Sequence, residues 1–260
     1  MTFVVYQPGE FVMGSPDTEL KRGNEPQHRV RITRPFAICD REVSVEQWLR
    51  FGAATKRNYA YSRYHSPTPK HTVVATWYSA VEYCRWLTEQ AGMSESEQCY
   101  EDPEKLAKGP DGHPLNWPFH PERAGFRLPT EAEWEYACRA GTSTTYGFGS
   151  DSRLLGKYGW FVDNSGEKNH VGGELRPNLR GLFDMHGNVY EWCHDWYAEY
   201  HRGDSVDPVG PQRAQVTRRV LRGGGWNLYA WMCRSALRHD DGVPSAEYVF
   251  MGFRVARTHQ

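Results

Sequence analysis

Side chains able to do chemistry are scattered in this 260-residue chain. Its six cysteines (Cys39, Cys84, Cys99, Cys138, Cys193 and Cys233) show no CxxC spacing, and its eleven histidines are dispersed. Cys193 and His194 are adjacent, but a zinc site needs a second, spaced pair of ligands. No HExxH, phosphate-loop, GxSxG or dinucleotide-binding pattern occurs. Gly223, Gly224 and Gly225 follow a strand-like RRVL without a helix start after them, so close backbone packing is expected there rather than a phosphate cradle. Cys233, in RGGGWNLYAWMCRS, is either half of a metal site or a core residue beneath an aromatic surface.

A hard-cation candidate lies in GLFDMHGNVYEW. Asp184 and Glu191 stand seven residues apart around a Gly187-Asn188 turn. A turn can fold two carboxylates and a few carbonyls onto one ion, and calcium accepts such a mixed oxygen set. The plain alternative is two solvated carboxylates.

The elements that must position these groups are mostly short. FVVY and HRVRIT alternate as strands, with turns at PGEF and SPDT. Three helices are predicted. The first starts at Ser44 with Gln47 closing a capping box; the second follows Thr76, with Ala80, Val81, Cys84 and Leu87 on one face. The third is capped by Thr130 and Glu133 and stopped at Gly141. Cys84 and Cys138 fall on apolar helix faces and are expected to be core residues. Residues 100–125 hold five prolines and are expected to form a surface insertion. Beyond Gly141, short strands and Gly/Asn/Asp turns dominate. The expected architecture is one α+β domain, residues 1–260, rich in irregular backbone.

Bulk properties narrow the function. The formal net charge is −1 and no basic block occurs, which argues against nucleic acid as a partner. No apolar run approaches membrane-spanning length, and the N-terminus lacks the pattern of a signal peptide. Scattered cysteines fit reduced thiols and a cytoplasmic location, or export by a route not visible in the sequence. Aromatic residues make up 14% of the chain, including ten Trp and fifteen Tyr, a supply suited to binding surfaces as well as cores.

The segments GEFVMGS, ATWYSAVEYCRWL, FRLPTEAEWEYACRAG, PNLRGLFDMHGNVYEWC, RVLRGGGWN and MGFRVAR, in this order, resemble the formylglycine-generating enzyme (sulfatase-modifying factor) family over residues 8–257. The resemblance implies a variant of the C-type lectin fold. It also implies a structural calcium ion held by Asp184 and Glu191, with the backbone carbonyls of Gly187 and Val189. The oxidases of the family hold Cu(I) between two thiolates and convert a protein cysteine to formylglycine. Cys233 matches the second thiolate, but Leu228 occupies the position of the first, and Gly225 replaces a serine. A soft monovalent ion needs soft ligands, so the resemblance disfavours Cu(I) and catalysis. Cys193 stands as the outside candidate for a second thiol, and a copper-dependent oxidase is the alternative reading. Nothing supplies the histidine-bearing helical domain of the related iron oxidases.

The chain also resembles the variable proteins of diversity-generating retroelements, which display ligand contacts from the C-terminal part of this fold. By that resemblance the recognition segment is 218–257, with contacts from Asn227, Leu228, Tyr229, Ala230, Trp231 and Met232, and further contacts from His239, Asp240, Ser245, Glu247 and Tyr248. Trp226 is expected in the core. The expected function is non-catalytic binding of a protein or other macromolecule through these loops.

Overall fold

The computed structural model describes residues 1–57, 61–114, 116–200, 203–211 and 217–259. Its three α-helices begin at the expected caps. α1 (Val45–Thr55) starts with a reciprocal box between Ser44 and Gln47, α2 (Trp77–Gln90) with the Thr76 hydroxyl accepting from Ser79 N, and α3 (Glu131–Arg139) with a box between Thr130 and Glu133. Each cap satisfies amide donors that a first helical turn leaves open. α3 ends at Ala140, left-handed at φ 50°, and Gly141 continues the turn at φ 93°.

Among the described residues, eleven short strands form three sheets: β1 (Phe3–Tyr6), β2 (Gly9–Met13), β3 (His28–Ile32), β4 (Phe36–Cys39), β5 (Phe126–Arg127), β6 (Tyr190–Trp196), β7 (Ser205–Val206), β8 (Arg219–Arg222), β9 (His239–Gly242), β10 (Met251–Gly252) and β11 (Ala256–Thr258). The strand orders are β1-β4-β11-β5, β10-β6-β8-β9 and β2-β3-β7. The first sheet joins the chain ends, since β4 lies between β1 and β11. The PGEF stretch, expected as a turn, instead enters β2, whose backbone pairs with β3 from Gly9↔Ile32 to Met13↔His28.

β6 separates two cores. Tyr190 and Trp192 pack with Trp48, Trp77, Tyr83 and Phe253 on one side, while Cys193 packs with Trp134, Cys138 and Val220 on the other. The two-residue period of a strand produces this division. Segment 100–125 corrects the expectation of a surface insertion. Tyr100 and Trp117 are buried among the first core's aromatics, and the Trp117 indole donates to Glu101 O at 2.7 Å. Its prolines shape an irregular path, but apolar rings decide where that path lies.

Buried arginines tie these layers together. Arg127 pairs with Glu133, Arg222 with Glu135, Arg234 with Glu19 and Glu25, and Arg254 with Glu191. Glu135 also accepts from Arg139 Nε at 2.8 Å and from Gly14 N at 2.9 Å. Such pairs offset the cost of taking charge out of water only with good geometry and further hydrogen bonds; Arg127 and Arg222 still leave Nε buried without a partner. They specify how irregular segments dock.

Candidate functional site

The chain from Gly223 to Cys233 leaves β8 through tight turns. Gly223 and Gly224 have φ of 96° and 83°, a region costly for residues with a Cβ. A Cβ on Gly224 would stand 2.5 Å from Cys233 Sγ. The segment is therefore folded back upon itself, as close packing of the glycines predicts. Leu228 O accepts from Val162 N at 3.0 Å, Ala230 O accepts from the Tyr146 hydroxyl at 2.9 Å, and a 3-10 turn closes at Ala230–Cys233. His186 is a buried strut. It accepts from Gly147 N through Nε2 at 2.9 Å, which leaves Nδ1 to donate to Cys233 O at 2.9 Å. Burial pushes its pKa down to about 4, so the ring stays neutral in this role.

An open cleft of about 740 Å³ lies against this segment, lined by Tyr229, Ala230, Trp231 and Arg234 together with Glu19, Lys21, Thr145 and Asp163. Tyr229 is 63% exposed and Trp231 36%. The buried Arg234 guanidinium fastens the opposite wall. It pairs with Glu25 at 2.6 Å and with Glu19, and donates to Lys21 O at 2.9 Å and Trp231 O at 3.0 Å. The Lys21 ammonium lies 5.5 Å from the centre of the Trp231 ring. A cleft with two accessible aromatics, a lysine and hydroxyl groups can present apolar area alongside polar contacts, the composition of energetically important binding surfaces.

Of the expected contact residues, Tyr229, Ala230 and Trp231 reach this cleft. Asn227, Asp240, Ser245, Glu247 and Tyr248 are exposed outside its wall. Leu228 and Met232 are half-buried, Leu228 packing against the first core. His239 is half-buried against Tyr190, ring centres 4.7 Å apart. Trp226 is buried, as expected, with Val74 and Val189. The N-terminal side of the cleft was missed in the sequence. Residues 16–21 and 143–146 are distant from 229–231 along the chain, and the SPDT turn signal carried no hint of what it faces.

Cys233 lies behind the aromatic rim in an apolar shell of Tyr146, Leu155 and Phe161. Burial pushes its thiol up to about 12. Its Sγ approaches Tyr229 O at 3.9 Å. Among the described residues, the one cluster of three metal-ligating groups is His239, Asp240 and Asp241, without a cysteine. Cys193 belongs to the second core, packed with Trp134. All six thiols are buried and unpaired as disulfides.

The GLFDMHGNVYEW turn is buried rather than solvated. Asp184 and Asn188 take φ of 58° and 66°. Asp184 Oδ2 accepts from Gly173 N at 2.7 Å, while Oδ1 is buried without a partner. Gly187 sits where a Cβ would collide with Trp160 O, 2.2 Å away, and Val189 is buried. Glu191 accepts from Arg254 Nη2 and Nε at 2.6 Å each and from the Trp134 indole at 2.8 Å. Glu42 is buried nearby, accepting from Asn188 Nδ2 at 3.1 Å. Burial and the neighbouring carboxylates raise both Glu42 and Asp184, the latter to about 6. A carboxylate has about four lone-pair sites, so Glu191 keeps about one for a cation, whereas Asp184 Oδ1 is wholly open. As a donor set for calcium, the turn fits through Asp184 and only marginally through Glu191.

Similarity to known proteins agrees with this architecture. The formylglycine-generating enzyme of Streptomyces coelicolor is 32% identical, over 95% of this chain and 86% of its own. The protein kinase pkn1 of Chlamydia pneumoniae is 30% identical over 98% of this chain but only 37% of its own length. Among solved structures, Treponema denticola variable protein 1 superposes with a TM-score of 0.81 at 29% identity, covering 99% of this chain and 95% of its own. PvdO from Pseudomonas aeruginosa gives 0.78 at 26% identity, covering 99% and 94%. The fold is the C-type lectin-like fold of the formylglycine-generating type. The sulfatase-modifying factor enzyme 1-like domain matches residues 1–259, and the chain belongs to that family.

Proposed function

We propose that this protein is a non-catalytic ligand-binding module. Its recognition surface is the rim of the 740 Å³ cleft, built around Tyr229 and Trp231, and its ligand is a protein or other macromolecule. The observation that carries this reading is the arrangement of one short segment: two accessible aromatics face the cleft while Cys233 is sealed behind them in an apolar shell. A two-thiolate Cu(I) site requires two sulfurs that ionise. Leu228 supplies no sulfur at the first position. The likeness to Treponema denticola variable protein 1 supports display from this end of the fold. Asn227 and Met232 flank the rim, and Asp240, Ser245, Glu247 and Tyr248 extend the accessible surface beyond it.

Competitive Cu(I) titration of the wild type and Cys233→Ser tests the absence of catalysis, with weak and equal binding expected. Stoichiometric tight Cu(I) binding that Cys233→Ser abolishes would revive the oxidase reading. For the surface, peptides selected from a displayed library on immobilised protein are expected to lose binding to Tyr229→Ala/Trp231→Ala at unchanged thermal stability. Selected peptides that ignore both substitutions would remove the cleft from the proposal.

Calcium belongs to the same proposal as a structural ion. Asp184 Oδ1 and the carbonyls of Gly187 and Val189 would hold it, Glu191 contributing charge and one lone pair. A divalent cation would compensate a buried group of three carboxylates, Glu42, Asp184 and Glu191, gathered around Arg254. Ligand at a hundredfold over Kd adds about 2.7 kcal/mol to stability. Chelator-treated wild type is therefore expected to melt higher on adding calcium, and Asp184→Asn is not; an unresponsive wild type would remove calcium.

A further inference from the structure

A second cavity, of about 250 Å³, lies away from the cleft and is lined by Asn116, Trp117, Phe119, His194, Trp196 and Arg219 among others. Arg219 is anomalous. The largest fully buried side chains include five arginines, Arg127, Arg219, Arg222, Arg234 and Arg254. Four have carboxylate partners; Arg219 has none among the described residues. Its guanidinium is sandwiched between Trp77 and Trp196, at 3.7 and 3.4 Å from the ring centres. Nη1 donates to His194 O at 2.5 Å. Nε is buried with no partner, as it is in Arg127 and Arg222, and Nη2 makes no hydrogen bond to any described residue.

This leaves the Nε–Nη2 edge of the guanidinium without a partner among the described residues, with Nε itself out of contact with solvent. Nε–H and Nη2–H point the same way and form the fork that matches the two oxygens of a carboxylate. The faces are already covered by indoles, so a ligand can meet Arg219 only edge-on. A buried charge without a counter-charge is costly, and burial lowers the Arg219 pKa to about 9. Burial keeps His194 neutral and holds Asp195 protonated near neutral pH, its pKa raised to about 8. Asp195 attracts Arg219 without making an ion pair with it.

We propose that the unpartnered edge of Arg219, which lines this cavity, binds a small free organic carboxylate there, with a flat apolar body lying among Trp117, Phe119 and Trp196. A volume of 250 Å³ is below the usual range for drug-sized ligands, so the ligand is a compact acid. The site is separate from the proposed macromolecular surface and does not depend on it.

Benzoate is the probe, benzamide its neutral counterpart, and calorimetry with indole fluorescence the readout. Wild type is expected to bind benzoate at least about tenfold more tightly than benzamide, the scale of a charge-assisted hydrogen-bonded pair. Arg219→Gln, checked for folding by circular dichroism, is expected to lose that preference. Because Arg219→Gln can fail to fold, Asn116→Trp provides a second arm: it retains the charge, crowds the cavity from an exposed position, and is expected to weaken benzoate binding. Absence of benzoate binding at millimolar concentration, equal affinity for benzamide, or tighter Arg219-dependent binding of inorganic phosphate would each overturn the proposal.

Discussion

Gly224→Ala tests whether the recognition segment is held by close packing. Gly224 has φ of 83°, and a left-handed conformation costs an ordinary residue about 1–2 kcal/mol. The new Cβ would meet Cys233 Sγ at 2.5 Å, Cα at 2.9 Å and Cβ at 3.1 Å. Two of these atoms belong to the rigid base of a buried residue, so the 3-10 turn must shift as a unit; overpacking of this kind typically costs about 1–3 kcal/mol. Together the two effects predict a loss of about 2–5 kcal/mol, measured by urea unfolding with unchanged m-value. Cys233→Ala removes the Sγ contact while leaving the strain in φ. The double variant is therefore expected to be more stable than the sum of the single effects predicts, by roughly 1 kcal/mol. A loss below about 1 kcal/mol for Gly224→Ala, or strict additivity with Cys233→Ala, would refute the claim that the glycine turn and Cys233 are in tight register.

Further outcomes follow from the same packing. Cys233 should resist alkylation in the native protein at neutral pH and react only on unfolding, because its pKa of about 12 leaves little thiolate; mass spectrometry after a timed iodoacetamide pulse checks this. Arg234→Met strips Glu25 and Glu19 of their buried partner and is expected to cost about 3–5 kcal/mol, with increased hydrogen exchange at residues 16–25. Asp195 binds its proton more tightly when folded, at about 8 against an ordinary 3.8. Its contribution is therefore fully present below about pH 4 and lost as pH rises toward 8. Denaturation from pH 5 to 8 should show wild type losing stability relative to Asp195→Asn by up to roughly 1.4 kcal/mol per unit, and a constant difference would count against this.

Much of the scaffold was legible in the chain. Ser44, Thr76 and Thr130 announced three helix starts because capping is local: a hydroxyl reaches an amide three residues away. The burial of Cys84 and Cys138 followed from helical periodicity, and the glycine run foretold a close backbone approach. Leu228 in place of a thiolate was equally plain, since losing a sulfur is a matter of composition.

Tertiary structure decided what depends on distant partners. Sequence could place Glu191 beside a promising turn, but not show that Arg254 and Trp134 already hold its oxygens. It could suggest exposed aromatics, but not that residues 16–21 form the facing wall or that Arg234 fastens them there. Nor could it separate Arg219 from Arg222, three residues apart on β8, of which one has a buried carboxylate partner and the other has two indoles. Local signals arise from hydrogen bonds within a few residues. Charge compensation and cavity walls arise from chain segments brought together by burial, and in a fold with so little regular structure those meetings leave no periodic trace.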